Sequence, residues 1–170
     1  PAVFQEMKIA FELLMFAALL GAVDVGYYHL YKFRLFSRPE SVAEELTHLT
    51  RHVLFLAMTT VMVLELDRAP ILLPILFAVD LANSMADVLL ERRSRASAGG
   101  LPSLEYAIHV LASVVSGAAI SAYLFAPAEP LDEMQIIRGV ATIAIGSALF
   151  VVESALFVRA VLGRRSGLES

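Results

Sequence analysis

Runs of apolar residues recur along the whole chain, each closed by a short polar or helix-breaking segment. A helix needs about 20 mostly apolar residues to cross the ~30 Å hydrocarbon layer of a bilayer. Five stretches meet that length, at about 8–33, 41–66, 71–93, 103–126 and 132–162. Ser37-Arg38-Pro39 separates the first two, and Ser41 and Glu44 have the spacing of a capping box for the second. Asp67-Arg68-Ala69-Pro70 ends the second, and Ser97-Ala98-Gly99-Gly100-Leu101-Pro102 ends the third, with Ser103 placed to cap the fourth. Pro127 and Pro130 enclose a short acidic link before the fifth. Connections this short predict that consecutive helices are antiparallel neighbours. The first run is too long for a signal-peptide core and no A-x-A-like site follows it, so it is expected to remain as a helix. The expected fold class is all-α: a polytopic integral membrane helical bundle of about five transmembrane helices, with residues 1–170 as a single transmembrane domain.

Composition agrees with that pattern. Hydrophobic residues make up 58% of the chain and charged ones only 18%, which is not the balance of a soluble domain. A net charge of −4 argues against a nucleic-acid partner, and the absence of cysteine excludes disulfides, zinc knuckles and iron–sulfur ligation. Basic residues fall unevenly. Lys32, Arg34, Arg38, Arg92, Arg93, Arg95, Arg159, Arg164 and Arg165 lie on one side, against Lys8, Arg68 and Arg138 on the other. By the positive-inside rule the N-terminus is expected outside and the C-terminus in the cytoplasm, as in a bacterial inner membrane.

The ionisable residues inside the helices share one depth band. At ~1.5 Å of rise per residue, Asp24, Glu45, His48, His52, Asp87, Glu105, His109 and Glu153 all fall in the half nearer the basic side, with Asp80 closer to the middle. A charged residue at the bilayer centre costs roughly 2.5–3.5 kcal/mol on insertion scales, and such residues usually face the bundle interior at functional sites. Helical spacing puts Glu45, His48 and His52 on one face, Asp80, Asn83 and Asp87 on another, and Glu105 and His109 on a third. His29 points about 140° away from Asp24 on an ideal α-helix, which makes it the weakest ligand candidate of the four histidines.

Asp24 followed by Glu44-x3-His48 is echoed by Asp87 followed by Glu105-x3-His109. Both hairpins run in the same direction, which is compatible with a parallel repeat of two helical hairpins plus a fifth helix. Glu44 competes with Glu45 for this role.

Imidazoles and carboxylates without thiolates suit iron, manganese or zinc. Two histidines and four carboxylates form the ligand set of dinuclear carboxylate sites in helical bundles, where Glu-x-x-His pairs and single acids project inward. Glu45-x-x-His48 has that spacing, whereas Glu105 and His109 are one residue further apart. The candidate metal ligands are thus Asp24, Glu44, Glu45, His48, His52, Asp80, Asp87, Glu105, His109 and Glu153, most simply around two iron ions. The expected function is oxidative chemistry on a lipid or quinone-like substrate drawn from the bilayer. The alternatives are a divalent-metal or proton-coupled transporter, a b-type haem protein, or an accessory subunit of a membrane complex. Tyr27, Tyr28 and Arg51 are expected as hydrogen-bonding or radical-quenching neighbours.

A plainer reading covers other residues. Glu40, Glu44, Glu91, Arg92 and Arg93 read as solvated helix ends, and replacement of Glu91 is expected to spare the metal. Small-residue stripes at Ser113, Gly117 and Ser121 and at Gly139, Thr142 and Gly146 permit close packing of the fourth helix on the fifth, or a homo- or hetero-oligomer.

Overall fold

A computed structural model describes residues 3–96, 99–127 and 129–167. It is all-helical, and there is no strand among the described residues. Helix α1 (Val3–Val23) runs on into a π-helical segment, Asp24–Lys32. Two single 3₁₀ turns, Leu35–Ser37 and Pro39–Ser41, lead to α2 (Val42–Val63). Then follow α3 (Ala69–Ser94), α4 (Ser103–Phe125) and α5 (Glu133–Gly167). All five helices are long and apolar enough to cross a membrane.

The apolar runs and their breakers place the helices as expected, but two of the expected caps do not form. Ser41 precedes α2 in a helical conformation and makes no side-chain cap, because Glu44 turns into the bundle instead. Pro102 is the residue flanking α4, so Ser103 is already inside the helix. Between α3 and α4, Gly99 and Gly100 both have left-handed backbone (φ 88° and 95°), and the Gly100 N–H bonds the Arg95 carbonyl at 2.9 Å. This reversal fixes the end of α3 where Arg95 turns inward.

Helix order around the bundle departs from the expectation of sequential neighbours. Helix α1 packs on α4 and α5, and α2 packs on α3 and α5, while α3 and α4 meet more thinly. The fifth helix is therefore wedged between α1 and α2, and α4 lies mainly against α1 rather than α5. The small residues serve these pairings instead. A Cβ on Gly139 would stand 2.3 Å from Val63 and 3.0 Å from Phe11, and one on Gly117 would stand 2.9 Å from Phe77 of α3.

Burial is inverted relative to a soluble protein. Ile71, Met85, Leu89, Val114, Phe125 and Val151 are exposed, whereas eight carboxylates among the described residues are buried. The half nearer the acidic loops is filled by Phe11, Leu14, Met58, Met62, Leu73 and Ile120. Polar side chains occupy the other half.

Candidate metal centre

The centre rests on a buried arginine. Arg95, just past the end of α3, is fully buried and lies with its guanidinium carbon 4.7 Å from the centroid of the Phe33 ring. Its Nη1 reaches Glu44 Oε1 at 2.8 Å, and its Nη2 pairs with Glu105. Ser94 Oγ also donates to Glu44. One guanidinium therefore ties α2, α3 and α4 together, as its planar fork of donors permits. Arg95 does not belong among the interfacial cations, but eight of the nine basic residues on that side remain, and the charge bias persists.

Three imidazoles converge above this floor. Ring centroids of His29 and His48 are 4.0 Å apart, those of His48 and His109 5.7 Å, and those of His29 and His109 6.4 Å. His29 reaches the centre because of the π-helix. Hydrogen bonds there run i→i+5, as in Phe33 N–H to the Tyr28 carbonyl at 2.9 Å, and residue i+5 returns towards the face of residue i. Asp24 and His29 thereby come together, with 3.8 Å between Asp24 Oδ2 and His29 Nε2. π-Helical insertions are frequent at functional sites.

Carboxylates surround the rings. His109 Nε2 is 2.7 Å from Asp24 Oδ2, and its Nδ1 is 2.6 Å from Glu91 Oε1. His48 Nε2 is 3.2 Å from Asp87 Oδ2. His29 turns Nδ1 to Glu153 Oε1 at 3.4 Å and Nε2 to Glu105 Oε1 at 4.0 Å. His52 Nε2 contacts the other Glu153 oxygen at 2.9 Å. Thr47 Oγ1 lies 2.5 Å from Asp87 Oδ1, and Asn83 donates to the Thr47 carbonyl at 2.9 Å, which fixes α3 against α2.

A neutral imidazole carries a single N–H. His109 has a carboxylate within 2.7 Å of each nitrogen, which calls for a second proton or a metal ion there. Several close atoms also lack hydrogen-bond direction. Among the described residues, Asp24 Oδ1, Glu45 Oε2, Glu105 Oε2 and both Glu91 oxygens meet no donor in bonding geometry. Buried polar atoms rarely stay unmatched. Buried carboxylate oxygens without donors are groups that a cation would satisfy.

Ligand atoms of Asp24, His29, Glu105 and His109 lie within 4.8 Å of one another, as do those of Glu44, His48 and Glu91, and those of His29, Glu45 and Glu153. The structure thus brings together eight of the ten sequence candidates, with His52 attached through Glu153. Asp80 stands apart, its Oδ1 3.8 Å from Arg51 Nε. Glu44 and Glu45 are both buried and point to different partners, so neither displaces the other. Tyr28 packs with Phe33, Leu35 and Ile108, and Tyr27 is exposed.

Sequence reasoning missed Glu91 and Arg95 and undervalued His29. Glu91 is fully buried against His109, not a solvated helix end. Its signal was present, since the stripe Asp80, Asn83, Asp87 continues by the same spacing to Glu91 and Ser94. Nothing in a single sequence announces a π-helix.

A cavity of about 80 Å³ opens beside the cluster on its apolar side. Asp24, His48, Arg51, His52, Asp80 and His109 form its polar wall, and small and apolar residues such as Ala17, Val25, Phe55 and Ile108 line most of the rest.

An all-helical bundle with a buried histidine–carboxylate centre is the class that fold and site define. No protein-family model matches the chain, and no curated protein and no solved structure matches it either.

Proposed function

We propose that this protein is a membrane-embedded metalloprotein whose cluster holds two metal ions, most simply iron, for oxidative chemistry on an apolar, lipid-like substrate. The observation that carries this reading is the charge of the interior. Eight carboxylates are buried among the described residues, and the guanidiniums of Arg51 and Arg95 pair with three of them, which leaves six formal negative charges while the imidazoles are neutral. Each uncompensated ion in such surroundings costs several kcal/mol. Carboxylates and imidazoles are the donors that suit iron or manganese. One ion would take Asp24, His29, Glu105 and His109, and the other Glu44, His48 and Glu91. Bound iron would supply the electron transfer.

The chain's own residues do the rest. Arg95 holds Glu44 and Glu105 in place and offsets their charge. Of the two carboxylates beside His109, Asp24 would share its ion and Glu91 would orient the imidazole from the other nitrogen, as the partner of a metal-bound imidazole does. The cavity, with apolar residues on one side and the histidines and Arg51 on the other, would seat a short segment of substrate next to the histidines. The exposed apolar girdle supports placement in a bilayer, with the basic end of the bundle in the cytoplasm.

The exchange of partners supports the parallel repeat. Asp24 of the first hairpin pairs with His109 of the second, and Asp87 of the second with His48 of the first. The corresponding Glu44 and Glu105 share Arg95. The two extensive pairings α1–α4 and α2–α3 are the ones such a repeat would interchange.

Haem is disfavoured by geometry, because imidazoles 4.0 Å apart leave no plane for a macrocycle between them. A transport path is disfavoured by the apolar half, where the packed core offers no polar route. Elemental analysis and an optical spectrum of detergent-purified protein test the proposal. At least about two irons per chain without a Soret band is the expected result. A Soret band would make it a haem protein, and absence of any transition metal would remove the proposal.

A further inference from the structure

We infer that Glu45, Glu153 and His52, with the Nδ1 side of His29, form a third metal position beside the proposed pair; the inference rests on that pair being a metal centre. His29 would join the two positions as a bridging imidazolate, its one ring proton released when both ions are bound. Its Nε2 faces Asp24 and Glu105, which belong to the pair, at 3.8 and 4.0 Å. Its Nδ1 faces away from them, 3.4 Å from Glu153. Ligand atoms of His29, Glu45 and Glu153 lie within 4.8 Å of one another, and His52 Nε2 stands 2.9 Å from the second Glu153 oxygen.

Two further observations point to a cation here. Glu45 is 1% exposed, and its Oε2 has no hydrogen-bond partner among the described residues. The charge of the interior also remains unbalanced. With His29 as an imidazolate the surplus is seven negative charges, of which two divalent ions offset four and a third would offset two more. The two carboxylates at this position match the charge of one divalent ion, and the imidazoles favour a transition metal over calcium or magnesium. The position is built by α2 and α5 with the π segment, whereas the pair is built by α2, α3 and α4 with the π segment. Loss of Glu45 or His52 therefore removes one ion and leaves the others their ligands.

Anaerobic ferrous loading of the detergent-purified full chain tests this, with iron counted against amino-acid analysis. Wild type should bind about three irons, and Glu45→Gln and His52→Gln about two each, with unchanged elution on size exclusion. A wild-type count of about two, unchanged in both variants, would overturn the third position while leaving the pair intact. Variants that keep the full wild-type count, or that lose all iron together, would also overturn it as a separate site. A wild type that binds no iron removes the pair and the third position alike.

Discussion

His109→Ala is expected to lower metal affinity at least on the order of 100-fold, because outer partners of a metal site alone are worth roughly 10–100-fold. His109 is the residue on which the cluster converges. Its two nitrogens stand 2.7 Å from Asp24 and 2.6 Å from Glu91, so its loss removes a ligand and leaves two buried carboxylates facing a void. Glu91→Gln should reduce metal affinity by a smaller factor within that range. Dye-competition titrations with ferrous or zinc ion on the purified variants check both. Wild-type affinity in Glu91→Gln would mean that Glu91 is the spectator its place in the sequence implied. Wild-type affinity in His109→Ala would remove the centre as drawn.

Arg95→Met is expected to destabilise the metal-free protein by about 3–5 kcal/mol, the usual result of removing one partner from a buried ion pair. The side chain is 0% exposed and bridges two buried glutamates on different helices. Its removal leaves both carboxylates without the charge that balances them. Arg95→Lys should recover only part of the loss, because a single ammonium lacks the flat fork that reaches two carboxylates at once. Replacing Glu44 and Glu105 by Gln in the Arg95→Met background should restore most of the stability, since the unpaired charge is then gone. Unfolding in mixed detergent–denaturant titrations gives the comparison. Equal midpoints for wild type and Arg95→Met would show that the arginine bears no structural load.

The legible part of this protein was whatever depends on distance along one helix. Apolar runs with Pro, Gly and Asp breakers placed five helices, and rise per residue put the acids and histidines at one depth. Ligand spacing within a helix was also readable, as for Glu45 with His48 or Glu105 with His109. Neighbour relations between helices were not. Short loops suggested sequential packing, yet α5 inserts between α1 and α2, because Gly139 allows its backbone to close on Phe11 and Val63. Helix winding was not readable either: His29 was placed by the 100° step of an α-helix, and the π segment turns it inward. Glu91 and Arg95 were hidden differently. They flank Arg92 and Arg93, whose exposure is that of an ordinary solvated helix end, and the charge run concealed that its outer members face inward.

The most direct test of the metal centre is anomalous diffraction at the iron edge from crystals of the iron-loaded protein. Two of the peaks, those of the pair, are expected roughly 3.5–4 Å apart, with the third position giving a separate peak beside Glu45 and Glu153. One should lie among Asp24, His29, Glu105 and His109, and the other among Glu44, His48 and Glu91. Iron peaks confined to surface carboxylates, or no peak inside the bundle, would contradict the account.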